Sequence, residues 1–183
     1  IIQDSAINKI YISENSGATW DSVQINNDVP MTMKFVNENT GYLSSIYAYP
    51  RTALYKTTNG GYNWQFVKNT SAAFIDFFNN DTGIVSALPF YFRTTNGGIS
   101  WDSLTYPYVP QFAAMSLKYV SPQTVYLTGL QSRIFKSTDG GVIWQEQKAY
   151  SGLQSSLSKI DFYDTTYGMV YGGGGMLIRT KTG

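Results

Sequence analysis

The sequence predicts an all-β fold, a β-propeller of four-stranded antiparallel blades, and three observations predict it. Two different motifs recur along the 183 residues at a shared spacing near 40, turn formers punctuate short apolar runs, and no helical period competes with the alternation. The first motif reads YISENSGATW (11 to 20), YKTTNGGYNW (55 to 64), FRTTNGGISW (92 to 101) and FKSTDGGVIW (135 to 144), with IRTKTG (178 to 183) as a shortened fifth copy. Its tryptophans, Trp20, Trp64, Trp101 and Trp144, lie 44, 37 and 43 residues apart. The second motif reads MKFVNENTGYLS (33 to 44), IDFFNNDTGIVS (75 to 86), LKYVSPQTVYLT (117 to 128) and IDFYDTTYGMVY (160 to 171).

Each repeat parses into four short strands. In the copy spanning 106 to 149 these are 114 to 121, 124 to 129, 133 to 138 and 144 to 148, separated by Ser-Pro-Gln, Leu-Gln-Ser and Asp-Gly-Gly turns. Four strands in about 40 residues make a propeller blade, a sheet that buries both faces only against its neighbours. The chain then divides into a partial blade (1 to 24), three full blades (25 to 68, 69 to 105, 106 to 149) and a second partial blade (150 to 183). About four to five blades are present. Because the first partial blade already holds a third strand and its turn, the two ends duplicate rather than complete each other, so the expectation is an open arc of a larger propeller of about six to eight blades.

The octapeptide joins the third and fourth strands. Asn59, Asn96 and Asp139 can bond their own backbone, Gly61, Gly98 and Gly141 supply positive φ, the hydroxyls of Thr57, Thr94 and Ser137 can bond turn amides, and Trp64, Trp101 and Trp144 are expected to be mostly buried at equivalent blade edges. In these residues the chain resembles the BNR or Asp-box repeat, S/T-x-D-x-G-x-T-W, of sialidases, sortilin-type receptors and photosystem II assembly-factor-like propellers. The wider unit, F-x-x-x-x-x-G-x-V-x-G followed by I-x-R-T-x-D-G-G-x-x-W, looks most like the last of these. In that group the box is structural and peripheral. The first copy departs from the pattern at Ser16, where the others have Gly, and the fifth at Thr182, which suggests irregular end blades.

Composition narrows the chemistry. With no His and no Cys, thiol nucleophiles, disulfides, imidazole bases and the usual zinc sets are excluded. No cofactor or metal site is expected. A net charge of +1 argues against nucleic acid, and no apolar run is long enough to span a bilayer. Only 14% of residues are charged, against about 25% in typical soluble domains, and the abundance of Tyr, Ser, Thr and Asn leans toward a secreted or cell-envelope protein. Ile1 in place of Met suggests a processed or internal segment.

The sialidase resemblance implies three arginines clamping a carboxylate, a Tyr nucleophile with a Glu partner, and an Asp acid/base. The chain has four arginines, and Arg93 and Arg179 stand where Lys56 and Lys136 stand in other copies, as features of the repeat. Of the three glutamates, Glu14 lies inside a box, Glu38 in a turn and Glu146 on an outer strand, so the carboxylate pair of a glycosidase is not assembled. No catalytic residue is assigned.

Two charge patterns remain. Lys34, Asp76, Lys118 and Asp161 share one position at intervals of 42, 42 and 43 residues with alternating sign, which suits ion pairs between blades or, alternatively, a polar channel. Lys56, Arg93, Lys136 and Arg179 form a basic series that reads as a solvated edge or, by the assembly-factor resemblance, as a docking surface for client proteins, together with the loop tyrosines Tyr106 and Tyr108. The resulting expectation is a non-catalytic scaffold or protein-docking module whose partner is another protein or the rest of its own larger chain. A carbohydrate-binding or sialidase-like glycan-cleaving module is the alternative.

Overall fold

A strand pair closes tightly where an aromatic ring on one strand lies over a glycine on the other, and the motif F-x-x-x-x-x-G puts those two residues directly across the ladder. In the computed structural model, which describes residues 2–4, 8–25, 28–47, 51–70, 74–87, 90–107, 112–147 and 155–181, Phe35 faces Gly41, Phe77 faces Gly83 and Phe162 faces Gly168. A Cβ on Gly83 would stand 2.3 Å from the Phe77 ring, and one on Gly168 would stand 2.5 Å from Phe162. The glycine is needed for close approach. The remaining copy solves the same problem differently, with Tyr119 opposite Val125.

The chain divides into two compact units, Ile1–Leu88 with Thr95–Ser100, and Pro89–Thr94 with Trp101–Gly183. In the first, β1 (Ile2–Asp4), β2 (Lys9–Ile12) and β3 (Asp21–Gln24) form a three-stranded antiparallel sheet. There follow a four-stranded meander, β4 (Val29–Phe35), β5 (Gly41–Tyr47), β6 (Arg51–Thr57) and β7 (Gln65–Asn69), and the hairpin β8 (Ile75–Phe77) with β9 (Gly83–Ala87). A core cluster of Ile10, Ile25, Leu43, Ala53 and Tyr55 joins the first two sheets, with Val23, Met33 and Trp64 packed against it.

The second unit begins with the hairpin β10 (Phe90–Thr94) and β11 (Asp102–Thr105). Its four-stranded meander is β12 (Ala114–Tyr119), β13 (Val125–Gly129), β14 (Ile134–Ser137) and β15 (Gln145–Gln147), and its last sheet is β16 (Leu157–Phe162), β17 (Gly168–Gly172) and β18 (Leu177–Thr180). Tyr126, Ile134, Leu157, Ile160 and Val170 form the core between these sheets. The strands of the 106 to 149 copy are one or two residues shorter at most ends than the sequence pattern suggests. At one such end the chain is already turning, because Val120 N–H bonds the Thr124 carbonyl at 2.9 Å.

The first and last sheets are separate and three-stranded, and no sheet among the described residues combines strands from the two ends. A feature without a sequence signal also recurs: the first strand of three repeats slips register at the same point, at Pro30/Thr32, Ala114/Ser116 and Leu157/Lys159. In the second unit the bulge frees Ser116 Oγ to accept the Ile160 N–H of the next sheet at 3.3 Å.

The glycine contact gives a first test. Gly83→Ala forces the Phe77 ring off Tyr42, and overpacking of this kind costs about 1–3 kcal/mol. Gly175→Ala, where no atom stands within 4 Å, carries only the strain of its φ of +73°. Urea unfolding of both variants is expected to show the larger loss at Gly83.

Candidate functional site

The box turn is held by its own side chains. Thr57 Oγ1 accepts the Gly61 N–H at 3.0 Å and donates to Asn59 Oδ1 at 3.0 Å, while Asn59 Oδ1 accepts the Asn63 N–H at 2.9 Å. Ser137 and Asp139 repeat this arrangement: Ser137 Oγ accepts Gly141 N–H at 2.8 Å, and Asp139 Oδ1 accepts Val142 and Ile143 N–H, both at 2.9 Å. The Ile143 N–H, with Ser137 and Val142 adding to it, holds the Asp139 carboxyl below the usual range. Asn96 Oδ1 accepts Ser100 N–H at 3.0 Å in the third copy. The first copy uses Ser13 and Asn15 in the same way, and Ser16 adopts φ of 56° where Gly60, Gly97 and Gly140 have 71°, 67° and 75°. The expected irregularity at Ser16 is thus absorbed by a serine in left-handed backbone.

Beyond holding itself, the turn accepts hydrogen bonds from another sheet. In the first unit the Gly97 carbonyl takes the Tyr42 hydroxyl at 2.8 Å and Lys56 Nζ at 2.6 Å. In the second unit the Gly141 carbonyl takes the Tyr91 hydroxyl, the Asp139 carbonyl takes Arg93 Nη1 at 3.3 Å, and Trp144 Nε1 donates to Tyr91 Oη at 3.0 Å. Lys56 also lies 5.5 Å from the centre of the Tyr42 ring and Lys136 lies 5.3 Å from that of Tyr126, each across its own ladder. Three members of the basic series are therefore engaged within their units. Arg179 is exposed and lines a cavity of about 580 Å³ with Asp161, Phe162, Tyr163 and Tyr167.

The structure brings the alternating charges together in two pairs. Lys34 Nζ lies 3.0 Å from Asp76 Oδ1, and Lys118 Nζ lies 3.0 Å from Asp161 Oδ1. Each pair accompanies an aromatic stack between the same sheets: Tyr42 on Phe77 at 3.9 Å and Tyr126 on Phe162 at 4.7 Å. Burial raises the Asp161 pKa, but the hydrogen bond and charge of Lys118 outweigh it, and the carboxyl sits below its usual value.

Trp64, Trp101 and Trp144 are each more buried than exposed, as expected of them, whereas Trp20 is 43% exposed. The rings lie at the sheet rim: Trp64 meets Phe35 edge-on at 6.0 Å and Trp144 meets Tyr91 edge-on at 6.2 Å. Tyr106 packs on Tyr91 at 4.9 Å, and Tyr108 lies outside the described residues. Glu14 accepts the Tyr62 hydroxyl at 2.8 Å, and Glu146 pairs with Arg133 at 3.0 Å. Asp28 escaped the sequence reading because no repeat copy shares it: it is 3% exposed and accepts Ser45 Oγ at 2.7 Å and Tyr55 Oη at 2.6 Å.

With this geometry the comparisons with known proteins agree. Residues 91–181 match the family described as photosynthesis system II assembly factor YCF48. The match covers 91 of the 183 residues, and over them the chain is similar to that family. Among solved structures, an ancestral GH74 enzyme shares 21% identity and a TM-score of 0.73 over 91% of this chain and 25% of its own. The WD40 β-propeller domain of Doa1 gives 13% and 0.62 over 94% of this chain and 56% of its own. YCF48 from Cyanidioschyzon merolae gives 15% and 0.51 over 94% and 74%. At these identities the likeness is one of fold, and the chain spans a quarter of the GH74 enzyme and about half of the Doa1 domain.

Two predictions follow from the joints. Asp76 has a side chain 7% exposed against 66% for Asp161. Breaking a buried pair costs about 3–5 kcal/mol when the remaining charge is trapped, and an exposed pair contributes at most about 1 kcal/mol. Lys34, itself 33% exposed, can turn toward water. Asp76→Ala should therefore fall between those limits and Asp161→Ala near the lower one, read from chemical denaturation. The second concerns alkali. Burial pushes Tyr42 up to about 12, with the Asp81 charge adding to it, and burial pushes Tyr91 up to about 12 against the opposing Trp144 bond and Arg93 charge. A phenol whose folded pKa exceeds its unfolded value near 10.0 stabilises the fold at all lower pH, and this contribution is lost as pH rises from 10.0 to about 12. Thermal melts across that range should fall for the native protein and fall less for the Tyr42→Phe, Tyr91→Phe double variant.

Proposed function

We propose that this propeller is a non-catalytic scaffold that docks another protein, in a secreted or cell-envelope setting. The observation that carries this reading is where the chemically capable side chains go. Arg93 binds a turn carbonyl and lies 3.4 Å from Asp102, Arg133 holds Glu146, Glu14 holds Tyr62, and Asp28 holds Ser45 and Tyr55. Groups tied to one another in this way support neighbouring strands, whereas a hydrolase needs them converging on one substrate atom. The match to an assembly-factor family supports the same reading.

The elements best suited to docking are the individual box turns. Ile99 is 87% exposed and Ile143 67%, and both sit on turns whose backbone is fixed by Asn96 or Asp139. Apolar side chains on a pre-ordered turn lose little freedom on binding, so their burial contributes more fully to affinity. A photo-crosslinking residue placed at Ile99, and separately at Ile143, in cells that express the protein should give discrete protein adducts from at least one site. The absence of adducts from both positions, or hydrolysis of a glycan by the purified chain, would overturn the proposal.

A further inference from the structure

Two of the box turns carry a chemistry of their own besides holding the fold. Their third and fourth residues are Asn59–Gly60 and Asn96–Gly97, the two Asn-Gly pairs of the sequence. Asparagine is a thermolabile residue, and it is most so before glycine, which has no Cβ to crowd its backbone nitrogen. That nitrogen, once deprotonated, attacks the asparagine Cγ. The new N–Cγ bond closes a five-membered imide while the Cγ–Nδ2 bond breaks, and Nδ2 leaves as ammonia with a proton in place of the one the glycine lost. Water then opens the ring at either carbonyl and restores the glycine N–H. One product is aspartate, and the other is isoaspartate, whose main chain runs through Cβ and Cγ. In balance one water is taken up and one ammonia released.

Both asparagines are exposed, so solvent reaches them, and what restrains the reaction is the box itself. Gly97 N–H donates to the Asp81 carbonyl at 2.9 Å, which ties up the nucleophile. Asn96 is held at both ends of its amide, Oδ1 taking Ser100 N–H at 3.0 Å and Nδ2 giving to Ser100 Oγ at 2.8 Å. The second copy is held alike: Gly60 N–H donates to the Asn39 carbonyl at 2.9 Å, and Asn59 Oδ1 takes Asn63 N–H at 2.9 Å. Ring closure therefore requires the turn to leave its box, a local opening whose frequency is set by the contacts around it. At Gly97 those contacts include the second repeat, because its carbonyl holds Tyr42 and Lys56.

We propose that Asn59 and Asn96 are sites of spontaneous deamidation, admitted only when their box opens, and that isoaspartate at position 96 unfastens the joint to the second repeat. Aspartate itself fits the box. Asp139 occupies this position in the fourth copy, where its Oδ1 takes the Val142 and Ile143 N–H groups. Isoaspartate instead adds a carbon to the main chain just before Gly97, and the Gly97 carbonyl then no longer stands where Tyr42 and Lys56 reach it.

Peptide mapping of the chain, aged for weeks at mildly alkaline pH with and without urea, tests this, since amide and acid differ in mass and isoaspartyl peptides elute apart from aspartyl ones. Both sites should be modified in the folded chain, and at least about tenfold more slowly than in urea, the protection that a mostly closed local equilibrium confers. Tyr42→Phe removes one donor to Gly97 and keeps the ring that stacks on Phe77. It should speed modification at Asn96 several-fold, with Asn59 as the internal reference. Aged chains carrying isoaspartate at position 96 should melt below the native protein, and Asn96→Asp should melt close to it. Four outcomes would each overturn the proposal: no modification in the folded chain, equal rates with and without urea, isoaspartyl chains that melt like the native protein, or a folded Tyr42→Phe with an unchanged rate at Asn96. The first three stand whether or not Tyr42→Phe folds.

Discussion

A propeller sheet has two faces to cover and too few residues to cover them alone, and in two places among the described residues the covering includes a backbone carbonyl handed from one repeat to the side chains of another. Gly97 receives Tyr42 and Lys56, and Gly141 receives Tyr91. A turn carbonyl is a fixed acceptor only if the turn is rigid, which is what the hydroxyl at the first box position and the Asn or Asp two residues later provide. Local self-sufficiency of the turn is thus the condition for the long-range joint. The glycines add a second condition, since φ of 96° at Gly61 and 98° at Gly141 aims the backbone in a way that a side chain would strain.

The joint is graded in polarity from one end to the other. Near the first strands it is ionic and aromatic, with Lys34–Asp76 beside Tyr42–Phe77 and Lys118–Asp161 beside Tyr126–Phe162. Toward the box it becomes a set of donors to carbonyls. Such a distribution ties charged side chains to groups on neighbouring strands and repeats, with Arg93 beside Asp102 and Arg133 holding Glu146.

How much of this could be read from the residues depends on distance along the chain. Blade count, strand order and the hydrogen bonds inside each box follow from spacing, because all of their partners lie within one repeat. The alternating Lys and Asp positions could also be read, since a shared register places them side by side once the repeats are stacked. The basic series could not be resolved the same way: Lys56 reaches a carbonyl 41 residues on and Arg93 one 46 residues on, and a backbone acceptor leaves no mark in the sequence. The recurring bulge was silent for a related reason, because Thr32, Ser116 and Lys159 share no side-chain type. Asp28 belongs to no repeat, so period-based reasoning passes over it.

Repeat proteins built this way are stabilised by the repeat itself and by its contacts with nearest neighbours. The strands of one sheet close within about 40 residues, so their pairing is cheap in loop entropy and contributes little to fixing one repeat against another. The joint residues decide that. Among them the aromatic stacks are insensitive to salt, while the partly exposed Lys118–Asp161 pair, with 26% and 66% exposure, is screened as ionic strength rises. Stacking therefore sets how tightly the sheets hold, and charge sets which residue of one sheet faces which residue of the next, because a slip by one repeat would oppose lysine to lysine and aspartate to aspartate.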